Sequence, residues 1–156
     1  MMDTDDILEI LAIPLVGIVP EHEDVIITSN RTREIHDALK RRCFYYWVDY
    51  PNAERELAIL GIKAPQSPAI LTAEIVGFVQ RLREMDLFKL PGVAETIDWA
   101  HALTQLDTMT LDPDTINDTL GTLLKYQDDI ARIQGSEASR ILEEVKAGIR
   151  SDAATR

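Results

Sequence analysis

A run of β-branched residues that ends in a lone amide, followed by a segment framed by arginines, is the part of this chain best equipped for chemistry. Val25-Ile26-Ile27-Thr28 is followed by Ser29-Asn30-Arg31, and the segment that begins at Arg31 closes on Arg41-Arg42-Cys43. A buried strand that presents one amide at its tip can orient a water at a phosphate, and paired guanidiniums neutralise oxyanion charge. Asn30, Arg42 and Arg41 are therefore candidate site residues. Plainer roles exist for each. An Asn at a strand end supports a turn, and an arginine pair can stack over the aromatic run Phe44–Trp47.

Other chemistry is thinner. His22, His36 and His101 have no metal-ligand spacing, so a metal site is not expected. Cys43, the single cysteine, forms no internal disulfide, fits a reducing compartment and has no indicated base to activate it. Asp128-Asp129 and Glu143-Glu144 read as solvated helix faces. No Gly-x-x-x-x-Gly-Lys-Ser/Thr occurs, nor an apolar run ending in Asp-Glu that would hold magnesium. Without that phosphate cradle the chain alone is expected to bind ATP weakly or not at all, and not to hydrolyse it.

The elements that must carry these residues change character along the chain. Thr4-Asp5-Asp6 is a good helix start, Pro14 ends that helix, and Leu15–Val19 and Val25–Thr28 read as strands. Phe44-Tyr45-Tyr46-Trp47-Val48 reads as an aromatic strand with two covered or half-covered faces. Pro51 suits the first turn of a helix over 52–60 that stops at Gly61. Lys63–Pro68 is a proline-bearing connector and the best boundary by composition. Helices follow. Leu71, Ile75, Phe78, Leu82 and Met85 stripe residues 69–86. Leu90-Pro91-Gly92 opens the next, with Ile97, Ala100 and Leu103, or Trp99, Leu103 and Leu106, facing inward. Asp112-Pro113-Asp114 starts another on Ile116, Leu120, Leu123 and Leu124, extending through Ile130 and Ile133 to Gly135. Ser136 caps a last helix through Gly148, and residues 151–156 read as a disordered tail.

Composition narrows the classes. At 156 residues, 46% hydrophobic and 28% charged, the chain has material for one globular domain, or one plus a small appendage. A formal net charge of -11 argues against general nucleic-acid or anionic-membrane binding. Residues 31–42 nonetheless hold five Lys or Arg against Glu34 and Asp37, a basic island that suits an anion. No apolar run approaches a membrane span and the acidic N-terminus lacks the basic region of a signal peptide, so a cytoplasmic location is expected.

From residue 26 to 135 the chain resembles the MoxR family of AAA+ ATPases, in the branch associated with carbon monoxide dehydrogenase maturation. The words that carry this are Thr28-Ser-Asn-Arg31, Arg31-Thr-Arg-Glu-Ile-His-Asp-Ala-Leu-Lys-Arg-Arg-Cys43, Val48-Asp-Tyr-Pro51, Arg55-Glu-Leu-Ala-Ile59, Met85-Asp-Leu-Phe-Lys89, Pro91-Gly-Val-Ala-Glu-Thr-Ile-Asp-Trp99 and Leu124-Lys-Tyr-Gln-Asp-Asp-Ile-Ala131. Residues 3–30, and Asp5–Glu21 above all, are instead similar to the late part of MinD, of the ParA/MinD ATPases. The two resemblances meet at Ser29-Asn30-Arg31.

The MoxR resemblance implies a sensor-1 role for Asn30 and an arginine finger at Arg42, or at Arg41, acting on nucleotide held by the next subunit of a ring. The MinD resemblance implies that Pro20 and Glu21 lie beside the adenine. The fold implied is mainly α: a short α/β remnant of a P-loop ATPase core over 1–50, then an α-helical AAA+ lid over 51–150. The function implied is that of a MoxR-type fragment, in a class that remodels client proteins or matures metal cofactors. It would meet ATP and Mg2+ only within a complete ATPase, beside neighbouring AAA+ subunits and a von Willebrand-type partner. A sensor-2 Arg is missing where the lid helix begins, at Val93-Ala-Glu-Thr96, and Glu95 would repel phosphate. Two alternatives stand: a non-catalytic helical interaction module, and a MinD-type nucleotide-binding protein.

Overall fold

The structure, a computed structural model, describes Ile27, residues 36–44 and residues 46–154. The chain divides into two units, Met1–Trp47 and Val48–Arg156. Every regular element among the described residues is a helix, so the protein is mainly α. The strands expected over 15–19 and 25–28 fall outside the described residues, save for Ile27.

In the first unit one short helix is described, α1 (Asp37–Lys40). His36 caps it, its Nδ1 accepting the Ala38 N–H at 3.2 Å. The aromatic run that follows is not a strand. Phe44, Tyr46 and Trp47 are irregular, as is Val48 beyond the division, and Phe44 is 108% exposed. A strand forms by pairing its N–H and C=O groups with a neighbour, and no strand is present among the described residues to pair with it. Aromatic and β-branched composition states a preference for such a surface without supplying one.

The second unit is a helical bundle: α2 (Ala53–Lys63), α3 (Ala69–Arg83), α4 (Val93–Gln105), α5 (Pro113–Leu123), α6 (Gln127–Ile133) and α7 (Ser136–Ala154). The helix α3 packs against α2, α4 and α7, while α5 joins α4 to α7 and α6 lies on α7. The stripe read from the sequence explains that central place. Leu71, Ile75, Phe78 and Leu82 are fully buried, and Val76 and Val79 broaden the apolar face so that several neighbours can share it. Gly77 lets α7 come close: a Cβ there would meet Val145 Cγ1 at 2.6 Å. Trp99 of α4 fills the centre, its ring centroid 5.7 Å from that of Phe78 and its indole N–H donating to Thr119 Oγ1 at 2.8 Å.

Boundaries follow from caps more than from composition. Asn52, not Pro51, starts α2 by accepting the Arg55 N–H at 2.9 Å. That helix continues through Gly61, whose α-carbon faces open space, because Leu60 and Ala64 on either side are buried and hold the turn. The connector 64–68 is thus no domain boundary, since α2 and α3 pack on each other directly. The helix starting at Pro113 ends at Leu123, with Leu124 extended beyond it and Lys125 Nζ donating to the carbonyls of Gly121 and Thr122. A separate α6 follows. Gly135 then takes φ +82°, a left-handed conformation natural to glycine, and turns the chain into α7. This last helix runs on to Ala154, past Gly148 and through the start of the stretch read as a tail.

Asp112 caps α5 most fully. Its Oδ1 accepts the N–H groups of Asp114 and Thr115 at 3.0 Å, and Oδ2 accepts the Thr115 hydroxyl at 2.6 Å. The Thr115 hydroxyl first, and its N–H next, hold the carboxyl below the usual aspartate range against a smaller upward push from burial. A carboxyl lowered on folding stabilises the fold above its unfolded pKa, about 4, and that stabilisation is lost as pH falls through the folded value. Asp112→Ala should therefore cost about 1 kcal/mol at neutral pH, and less in acid. Urea midpoints of both proteins at the two pH values check this; equal deficits would show that the charge does not make the cap.

Candidate functional site

The described part of the candidate phosphate site stands at the end of α1. Arg41 closes the helix in αR conformation, its N–H donating to Asp37 O at 3.0 Å. The Arg42 N–H donates to Leu39 O at 3.0 Å, so consecutive turns fix the backbone of both arginines. Both side chains are exposed, and no described residue pairs with either. Within α1 itself Asp37 and Lys40 form a solvent-exposed pair at 3.9 Å, a separation at which such pairs contribute little. Asn30, Pro20 and Glu21 lie outside the described residues, as does His22. Among the described residues no cluster of His, Cys, Asp and Glu could hold a metal, and Cys43 is an exposed free thiol.

In the bundle, the sequence reading missed the main polar centre. Glu56 of α2 is wholly buried. Its two oxygens accept from Arg83 Nη1 and Nη2, each at 2.8 Å, from Gln80 Nε2 at 2.8 Å, and from the Thr96 hydroxyl at 2.9 Å. The Arg83 Nε–H donates to the Pro91 carbonyl at 2.9 Å, and its guanidinium carbon lies 4.8 Å from the centre of the Tyr50 ring. Gln80 also donates to the Pro51 carbonyl at 3.0 Å, so the same centre holds the segment leading into α2. One signal pointed to it. Glu56 lies four residues before the buried Leu60, on the same helix face.

Two further carboxylates do related work. Glu74 accepts the Leu111 N–H at 2.6 Å and the Thr110 hydroxyl, with Lys146 Nζ at 3.6 Å, and so ties the loop before α5 to α3 and α7. Asp129 accepts the N–H groups of Phe88 and Lys89 at 2.8 and 3.1 Å, so of the Asp128-Asp129 pair only Asp128 is a solvated face. Glu144, by contrast, is exposed and pairs with Arg81 and Arg140.

At the start of α4, Glu95 turns back on its own helix. Its Oε2 accepts the Gly92 N–H at 3.1 Å and Oε1 lies 3.5 Å from Lys89 Nζ. Burial pushes this carboxyl up, but hydrogen bonds from its own N–H and that of Gly92, with the Lys89 charge, outweigh it and leave it below the usual glutamate range. It is an anionic cap occupied by its own helix start.

Comparison with known proteins matches only part of the chain. A septum site-determining MinD protein of Guillardia theta is 58% identical over 31 residues, 20% of this chain and 12% of that protein. MinD proteins of Tupiella akineta and Oltmannsiellopsis viridis are 35% and 39% identical over 57 residues, 36% of this chain and 18% and 17% of theirs. The chain thus spans less than a fifth of the length of these relatives. No family model and no solved structure matches it. Similarity to MinD therefore stands for a part of the chain, while none of these relatives is a MoxR protein. No helix among the described residues is long and apolar enough to cross a membrane.

Proposed function

We propose that this chain is an accessory part of a P-loop ATPase: it supplies a cation to a triphosphate that another polypeptide holds, and it carries a helical lid. The observation that carries the reading is the Arg41–Arg42 pair, exposed at the end of α1 with no described partner. An exposed guanidinium with no described partner is not accounted for by the described fold, and it fits the equatorial oxygens of a transferring phosphoryl group. The bundle after Val48 suits a lid, being a separate unit braced by a buried ion pair. In the MoxR-type form of this proposal Asn30 holds the attacking water, neighbouring subunits form a ring, and ATP with Mg2+ is gripped by the subunit bearing the P-loop. Client remodelling or metal-cofactor maturation, with a von Willebrand-type partner, is the activity such a ring would serve.

The partial MinD similarity favours a second form, in which Pro20 and Glu21 border the adenine of a ParA/MinD-type nucleotide site. Complementation separates the two. The chain should bind no ATP at micromolar concentration by calorimetry when alone, yet raise the hydrolysis rate of a P-loop-bearing MoxR homologue mixed with it. Stimulation of a MinD ATPase instead would favour the second form. Tight nucleotide binding by the isolated chain would end the proposal in either form.

A further inference from the structure

Glu74 is buried, yet its carboxylate serves a loop at the surface, accepting the Leu111 N–H at 2.6 Å and the Thr110 hydroxyl at 2.9 Å. What that loop displays is apolar. Leu106 and Met109 are 62% and 67% exposed, and Ile70, one turn before Glu74 on α3, is 64% exposed. These three share one end of the bundle. The connector before α3 and the last turn of α4 line a common cleft, which sets Leu106 near the start of α3. The Thr110 bond to Glu74 brings Met109 to the first two turns of the same helix. Aliphatic side chains exposed singly are ordinary, but three gathered on a backbone already fixed mark a surface that meets a partner.

Asp107 says what kind of partner. The chain leaves α4 by a Schellman turn, in which the Asp107 N–H donates to the Thr104 carbonyl at 3.1 Å and the Thr108 N–H to the Leu103 carbonyl at 3.0 Å. Asp107 takes φ +54° in that turn, where glycine is the default. Its carboxylate also stands at the negative end of the α4 dipole, and the last turn of α4 holds no basic residue to offset it. The side chain is exposed and pairs with no described residue. The fold thus bears a backbone cost and an electrostatic one for this group and draws no contact from it. Asp112, by contrast, caps α5. Residues 106–114 hold three aspartates and no Lys or Arg, and the nearby Lys146 is already held by Glu74 and the Leu111 carbonyl.

We infer that this end of the bundle docks a basic amphipathic helix of a partner protein, its apolar side chains on Ile70, Leu106 and Met109 and a Lys or Arg on Asp107, a reading independent of the arginine pair at the end of α1. Charge complementarity selects the occupant. A second copy would bring a net charge of -11 and the same aspartates to the contact, and like charges set opposite each other repel. A wholly apolar segment would leave Asp107 unanswered. An amphipathic helix offers apolar anchors at i, i+3 and i+4 with cations beside them, and methionine adapts to the anchors it meets.

The test uses the full chain and a synthetic helix of about 14 residues, roughly four turns, with leucine on one face and lysine on the other, followed by fluorescence anisotropy. The same peptide with glutamate for lysine, and the lysine peptide in scrambled order, are the controls. Saturable binding at least about tenfold tighter than either control is expected at ~0.15 M salt, with amide NMR shifts confined to residues 67–74 and 104–111. Asp107→Gly should melt higher than the parent, since glycine suits the turn and the dipole is relieved, yet bind the peptide about fivefold more weakly. Met109→Ser should weaken binding about tenfold and leave the melting temperature unchanged. A scrambled peptide that binds as well, shifts spread over the acidic surface, or an affinity untouched by both substitutions would overturn the inference. Self-association of the chain that gives the same shifts without peptide would do so too, assigning this end to a second copy.

Discussion

Glu56→Ala should destabilise the bundle by about 3–5 kcal/mol, because it leaves the Arg83 guanidinium buried without its counter-charge. The side chains of Arg83 and Glu56 are 6% and 0% exposed, so water cannot take over the lost interaction. A domain of this size has a total stability of about 5–15 kcal/mol, so the loss would take a large share of it. The variant also removes one acceptor each from the Gln80 amide and the Thr96 hydroxyl, which keep the Pro51 and Gly92 carbonyls, each at 3.0 Å. Replacing both partners by methionine separates charge burial from packing. Glu56→Met with Arg83→Met should recover most of the loss, since an apolar pair of similar volume meets neither desolvation nor an orphaned ion. Urea unfolding of the single and double variants measures this. A single variant that loses under 1 kcal/mol would show that the centre does not brace α2 against α3 and α4.

That centre also shows where sequence reading stopped. The stripes of α3 and α5 were legible because Leu71, Ile75, Phe78 and Leu82, or Ile116, Leu120 and Leu123, repeat with the helix and need no information beyond it. The start of α5 was legible because Asp112-Pro113 states a cap and a first turn in adjacent residues. Glu56, Glu74 and Asp129 were not. Acidic residues are almost never fully buried unless paired, and their partners lie 27, 37 and 41 residues away, at Arg83, Leu111 and Phe88. The spacing of Glu56 to Leu60 hints at its burial, but a one-dimensional pattern does not name the partner it meets. Phe44–Val48 failed in the opposite sense: its composition was clear, but a strand also needs a neighbour that composition cannot provide. Of the candidate site, the structure bears only on Arg41 and Arg42, which it leaves exposed.

Arg42→Ala should lower the hydrolysis rate of a stimulated P-loop partner about a thousandfold or more, the scale on which a guanidinium supplied in trans stabilises phosphoryl transfer. The fold should not register the change. Arg42 is exposed and meets no described partner, and exposed substitutions away from caps and ion pairs usually move stability by under about 0.5 kcal/mol. Loss of rate without loss of melting temperature is therefore the expected pattern. Arg42→Lys should recover little, because a point charge on a flexible stem cannot meet two phosphoryl oxygens as a planar fork does. Arg41 is the internal control. The two residues follow each other at the end of α1 with backbone N–H groups bonded to Asp37 and Leu39 respectively, so their Cα–Cβ bonds leave the turn in different directions. A triphosphate approaching from one side can meet only one of them well. Arg41→Ala should then cost far less than Arg42→Ala, and the reverse order would move the role to Arg41. Stimulation that survives both substitutions would leave the pair without a part in phosphate chemistry.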